Sequence, residues 1–219
     1  MELLRPILDS PLLLAALAAQ SLIAVIIVIR DVRTVNAGMP GLMKWVWGFT
    51  VAYSGLFGLA VYWTTGRPKI SDDADWRRGA RSTAHCYSGC GAGEIAGVII
   101  AVGVLSLSNL YVAAITFALA YTAGIILTVG PMMQEGVGFG TALRDAIYAE
   151  TASIVVMEAV AIGADLYLAQ GAHMGDIRFW TALIISLTLG YLAAWPINIA
   201  LIKMGVKGGM GDPREHAAS

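Results

Sequence analysis

Residues 110–129 read LYVAAITFALAYTAGIILTV and contain no charged side chain. A membrane-spanning helix needs about 20 mostly apolar residues, because the hydrocarbon core of a bilayer is about 30 Å thick. Pro131 follows closely and predicts the end of this helix, since proline has no backbone N–H to donate. The stretch therefore predicts a helix that crosses a membrane.

The rest of the chain has the same character. Of its 219 residues, 58% are hydrophobic and only 13% are charged, whereas soluble domains carry about 25% charged residues. We therefore predict an all-α integral membrane bundle of six transmembrane helices. The other five apolar runs cover residues 12–29, 45–63, 82–107, 141–165 and 179–202.

The basic residues predict an orientation. Six crossings place both termini on one side, and loops rich in Lys and Arg face the cytoplasm. With both termini inside, ten basic residues are cytoplasmic and four are outside, so we predict an N-in, C-in arrangement in a bacterial inner membrane. The cytoplasmic set is Arg5, Arg67, Lys69, Arg77, Arg78, Arg81, Arg144, Lys203, Lys207 and Arg214, and the outside set is Arg30, Arg33, Lys44 and Arg178.

The chain divides into three expected parts. Residues 1–75 hold two transmembrane helices and a cytoplasmic loop, residues 76–208 form a four-helix membrane core, and residues 209–219 form a disordered tail. The net charge of −1 gives no reason to expect nucleic acid as a partner. The expected surroundings are the lipid bilayer and either further copies of the chain or a larger membrane complex.

The third predicted helix carries a stripe of soft and acidic side chains. Within AHCYSGCGAGE, residues 84–94, Cys86, Cys90 and Glu94 recur every four residues and so share one helix face. Two thiolates one turn apart, with a histidine beside them, are ligands that copper(I) or zinc prefers. We therefore predict a soft-metal site at His85, Cys86, Cys90 and Glu94. The alternative is packing, because a free cysteine behaves as a small buried hydrophobe.

Three glycines lie beside this stripe. Gly89, Gly93 and Gly97 also recur every four residues, and small residues at this spacing let helices approach closely in lipid. The face is therefore predicted to pack against protein.

The fifth predicted helix contains buried acids. An acid at mid-bilayer costs about 2.5–3.5 kcal/mol, while each Val or Ile returns only about 0.3–0.6 kcal/mol. Glu150 and Glu158 fall on one face with Asp165, so this face must turn into the bundle. We predict that Glu150 and Glu158 form a proton relay or cation site. The alternative is that each acid is protonated and hydrogen-bonded, or paired with Arg144 or Arg178.

The last helix contains Pro196 and Asn198, which predict a kink near its end. Cofactors other than a metal ion are not expected. Haem usually takes two histidines within the spans, and only His85 is close enough to one. We expect no nucleotide either.

Several of these segments together resemble a known family. His85–Cys90 (HCYSGC) with Gly93 and Glu94, the buried Glu/Thr/Ser/Glu segment from Glu150 to Glu158, and Trp195-Pro196 before Asn198 are similar to the bacterial and archaeal membrane family called domain of unknown function 4396. The resemblance covers roughly residues 76–208. It carries no established activity.

Three functions fit these observations. The first is a membrane protein that binds, and transports or hands on, a soft metal ion such as copper. The second is a proton-coupled transporter or channel for a small solute that uses the buried glutamates. The third is a non-catalytic subunit of a larger membrane complex. We expect no enzyme, because the sequence offers no nucleophile with a base and an orienting group.

Overall fold

The computed structural model describes residues 3–215, and these residues form helices and connecting turns. The prediction of an all-α fold is confirmed, and six of the described helices are long and apolar enough to cross a membrane. Pro131 lies inside its helix, which runs on to Gln134. The helices are α1 (Arg5–Leu8), α2 (Pro11–Arg33), α3 (Gly41–Thr65), α4 (Asp75–Val98, continued by a π-helix over Ile99–Val104), α5 (Asn109–Gln134), α6 (Phe139–Ala169) and α7 (Ile177–Lys203).

Helix α3 does not run straight. Gly55 has φ 57° and ψ −127°, which no helix accommodates. The rings of Trp47 and Tyr62 lie 5.2 Å apart, although 15 residues of continuous helix would separate them by about 22 Å. Helix α3 is therefore a helical hairpin whose tip is Gly55.

Gln20 supports the tip of this hairpin from the middle of α2. The backbone N–H of Leu56, which the break releases, donates to Gln20 Oε1 over 2.9 Å. A buried backbone group in lipid needs such a partner, because no water replaces it. Gln20 lies about 14 Å along α2 from Pro11 and about 20 Å from Arg33, so the tip lies near the middle of this apolar helix.

Replacing Gly55 by valine is expected to prevent folding of the hairpin. A Cβ at this position falls 2.5 Å from the side-chain carbonyl carbon of Gln20, and a β-branched residue resists positive φ. We expect less than about one tenth of the wild-type yield of monodisperse protein, measured by size-exclusion chromatography in detergent. Gly163→Val is the matched control, since nothing lies within 4 Å of its Cβ position. Equal yields from both variants would contradict the hairpin.

Both ends of α3 lie at the same end of the bundle. Asp31, at the end of α2, accepts a hydrogen bond of 2.5 Å from Tyr62 and one of 2.9 Å from Arg67 beyond the end of α3. Asn36, in the short turn before α3, donates to the carbonyl of Gly66 just after it. The chain thus enters α3 and leaves it on one side.

This reversal places the described chain ends at opposite ends of the bundle. Asp9 lies 3.8 Å from Arg178 at the start of α7, whereas Lys207, beyond the end of α7, contacts Ser82 near the start of α4. We call these the N-terminal end and the C-terminal end. The predicted N-in, C-in arrangement puts both termini on one side, whereas these contacts place the described ends of the chain at opposite ends of the bundle. The sequence prediction assigns one crossing to each apolar run. A reversal of the backbone inside such a run does not change its hydropathy, so it could not be predicted in this way.

Helices α4 to α7 form a four-helix bundle. Helices α4 and α6 each pack against both α5 and α7, so α4 and α6 face each other across the centre. The three glycines of α4 lie against α5. Added Cβ atoms would fall 3.1 Å from Gly124 Cα at Gly89, 2.6 Å from Ala120 Cα at Gly93 and 2.7 Å from Thr116 Cα at Gly97. The glycines therefore let α4 approach α5 closely.

Candidate functional site

A buried lysine holds together three helices at the C-terminal end. The Lys207 ammonium group contacts five acceptors, and the side chain is only 8% exposed. Its contacts are Glu150 Oε2 at 2.5 Å, Asn198 Oδ1 at 2.7 Å, Ser153 Oγ at 3.3 Å, Ser82 Oγ at 3.5 Å and Cys86 Sγ at 3.6 Å. The acceptors come from α4, α6 and α7.

The chain after α7 folds back to deliver this lysine. Helix α7 ends at Lys203, and Gly205 takes φ 72°, a left-handed conformation that ends many helices. The carbonyls of Gly208 and Met210 then accept hydrogen bonds from Arg78 and Arg81 of α4. We name residues 204–212 the return segment. The predicted disordered tail covers 209–219; residues 209–215 are described, and 216–219 lie outside the described residues.

The Cys86 thiol belongs to the same cluster. It donates to Glu150 and lies 3.7 Å from Ser153 Oγ. Burial lowers the pKa of Lys207, the charge and hydrogen bond of Glu150 raise it, and the net pKa lies above its ordinary value of 10.5. The amine is therefore an ammonium at neutral pH.

A second cluster lies deeper, towards the N-terminal end. Glu94 of α4 lies within electrostatic reach of Glu158 and Asp165 of α6, and Cys90 lies beside Glu158. Glu158 is fully buried, and within residues 3–215 the Cys90 thiol is the one donor near its carboxyl group, whose oxygens make no regular hydrogen bond. These acids continue the line of polar groups between α4 and α6.

A cavity opens at each end of this line. The one at the C-terminal end measures about 360 Å³ and includes Glu150 and Lys207, with the return segment as one wall. The one at the N-terminal end measures about 100 Å³ and includes Asp165, Asn109 and His173. We name the ionisable groups between the cavities the interior column: Lys207, Glu150, Cys86, Cys90, Glu158, Glu94 and Asp165.

The interior column falls within a segment that matches a family model. The model, described as Domain of unknown function (DUF4396), matches residues 75–207, more than half of the chain. The chain belongs to the DUF4396 family. The match confirms the resemblance predicted from the motifs. No curated protein and no solved structure matches the chain.

The DUF4396 segment coincides with the four-helix bundle and extends to Lys207. The hairpin of α3, by contrast, precedes it. The whole interior column therefore lies in the part of the chain that the family shares.

The four residues predicted as metal ligands point to different places. Cys86 meets Glu150 and Lys207, while His85 Nε2 lies 3.4 Å from Thr128 Oγ1 of α5. Cys90 and Glu94 lie in the deeper cluster. Within residues 3–215, no group of three or more His, Cys, Asp or Glu side chains is arranged to hold a metal ion. Binding of copper or zinc stays a prediction, and the lysine ammonium beside Cys86 opposes a second cation there.

The predicted proton or cation residues, Glu150 and Glu158, occupy the two clusters of the column. Pro196, which was predicted to kink the last helix together with Asn198, lies inside α7, which continues to Lys203. The side chain of Asn198 binds Lys207 and Thr83. The sequence patterns did not predict Lys207 as a site residue, because its charge indicated only the orientation of the chain in the membrane. The signal available was a lone lysine in a glycine-rich segment directly after the last helix.

Proposed function

We propose that this DUF4396 protein is a membrane transport protein that moves protons through the interior of its four-helix bundle. The observation that carries the proposal is Glu158, a fully buried carboxyl group that has no cationic partner among the described residues and only the Cys90 thiol beside it as a donor. An ionised carboxylate in such a place is very costly, whereas a protonated one is tolerated. Glu158 is therefore suited to hold a proton and to exchange it with neighbours.

The spacing of acids along α6 supports a path. Glu150, Glu158 and Asp165 follow at intervals of about 12 Å and 10 Å, which together cover about 22 Å of a hydrocarbon core about 30 Å thick. Glu94 of α4 lies near both deeper acids and shortens the second interval. The first and the last acid each line a cavity, which supports exchange of protons with water at both ends.

The charge distribution supports an orientation of this path. All but two of the 14 Lys and Arg residues lie at the C-terminal end, and the exceptions are Arg5 and Arg178. Positively charged segments stay in the cytoplasm. We therefore place the C-terminal end and Lys207 in the cytoplasm and the N-terminal end outside. The hairpin improves the charge bias over the six-crossing arrangement, because it moves Arg30, Arg33 and Lys44 to the basic side.

Proton movement is measured in proteoliposomes that contain a pH-sensitive dye, with a potassium gradient and valinomycin as the driving force. Glu158→Gln keeps the shape of the side chain but cannot release a proton. We expect it to lower proton uptake about tenfold or more relative to the wild type. Glu135→Gln, an exposed position outside the column, is the matched control and is expected to keep the wild-type rate.

Two results would count against the proposal. One is wild-type uptake no faster than in protein-free liposomes. The other is equal uptake by Glu158→Gln and the wild type, with both proteins monodisperse in detergent.

A further inference from the structure

The acceptors around Lys207 form a site that is built without the lysine. Three α-helices of the bundle supply them, and the return segment supplies only the ammonium group. The Asn198 amide is held in place by its own donors, which bind Thr83 Oγ1 at 3.0 Å and Ala194 O at 3.2 Å. Its carbonyl oxygen is thereby fixed in the direction of the ammonium. The acceptor set is preorganised for a cationic donor.

The chemistry of this set fits an ammonium group better than a metal ion. Three neutral oxygens, from Asn198, Ser153 and Ser82, lie 2.7–3.5 Å from Nζ, and one carboxylate supplies a single negative charge. Hard metal ions take several oxygens at about 2.0–2.6 Å and usually more than one carboxylate. An ammonium group carries one charge and three N–H donors, which this arrangement accepts.

The return segment is tied to the bundle most loosely beyond Lys207. The backbone N–H groups of residues 204–207 donate to carbonyls at the end of α7, whereas the part after Lys207 is held by hydrogen bonds from Arg78 and Arg81 to the carbonyls of Gly208 and Met210. Its second residue, Gly205, has φ 72°, and the segment forms one wall of the 360 Å³ cavity. When the segment leaves, Glu150 loses its counter-ion in a buried place, and an unpaired buried charge is strongly unfavourable. A replacement cation is then strongly favoured.

We propose that Lys207 is a tethered occupant of a binding site for small organic cations with a primary ammonium group, and that such a cation displaces the return segment. The adjoining cavity, with Thr128, Met132 and Tyr148 in its walls, takes the short, partly apolar body of the ligand. The role of this ligand in transport rests on the proposed function, whereas its binding does not.

Limited digestion of the full chain by trypsin tests the displacement. Lys207 is buried and protected while the segment is docked, and Lys69, in the exposed turn before α4, reports general accessibility and any effect on the protease. Propylammonium at tens of millimolar is the probe, and tetramethylammonium, which has no N–H donor, is its control. We expect propylammonium to raise the ratio of cleavage at Lys207 to cleavage at Lys69 about fivefold, with no change in tetramethylammonium.

A variant makes the result specific to the site. In Glu150→Gln, Lys207 loses its counter-ion, so its cleavage is expected to be fast without propylammonium and to stay unchanged when propylammonium is added. An unchanged ratio in the wild type, or an equal response to both cations, overturns the proposed site. Displacement without proton flux leaves the site standing and removes the proposed function. Proton flux that depends on Glu158, without displacement of the return segment by propylammonium, supports the proposed function and removes the proposed binding site.

Discussion

A cysteine at position 37 is expected to react with a membrane-impermeant maleimide only after the cells are opened. Ala37 lies in the exposed turn between α2 and α3. If α3 crossed the membrane, this turn would face outside in the N-in, C-in arrangement. Because α3 is a hairpin with both ends on the basic side, we expect the turn to face the cytoplasm instead. We expect at least about a tenfold difference in labelling between intact and opened cells.

Two further positions complete the topology experiment. Gly175→Cys, in the turn before α7, is outside in both arrangements and is the positive control. Leu4→Cys, near the N-terminal end, is expected to label in intact cells, as a terminus on the outer side requires. The native Cys86 and Cys90 are buried and are expected to remain unlabelled. Labelling of Ala37→Cys in intact cells would show that α3 crosses the membrane.

The second large effect concerns the ion pair of Lys207 and Glu150. Replacing Lys207 by methionine leaves a buried carboxylate without its counter-ion, and breaking such a pair costs about 3–5 kcal/mol. We expect a loss of this size in the free energy of unfolding, measured by titration with SDS from mild detergent. Lys203→Met, at the exposed end of α7, is the control and is expected to change stability by less than about 0.5 kcal/mol.

The double variant distinguishes the cost of an unpaired charge from the loss of the lysine side chain itself. Lys207→Met with Glu150→Gln removes both charges, so we expect it to regain most of the stability that Lys207→Met loses. A double variant as unstable as the single one would mean that the lysine stabilises through packing rather than charge. The pKa of Lys207 is raised in the fold, so its contribution is fully present below pH 10.5 and is lost as pH rises through the raised value. No change in this contribution is expected between pH 7 and 9.

The interior column shows which features of the site could be predicted from residue patterns and which could not. The four-residue spacing of Cys86, Cys90 and Glu94 predicted a single face, and the cost of burying Glu150 and Glu158 predicted that this face turns inward. Both inferences use helix geometry and solvation, which depend on local sequence. Neither could separate the cluster around Lys207 at the C-terminal end from the deeper cluster of Glu94, Glu158 and Asp165. That separation depends on the side-chain positions of α6, about four helix turns of which lie between Glu150 and Asp165.

Composition and spacing by themselves determined that the chain is a helical membrane protein, which helices are long and apolar, and which faces of α4 and α6 are buried. These properties follow from the transfer of individual side chains out of water. Only the tertiary structure decided that Gly55 reverses α3, because the reversal needs Gln20 from another helix to satisfy the released backbone. It alone placed Lys207 in the bundle, since a charged residue is buried only where partners from several helices meet.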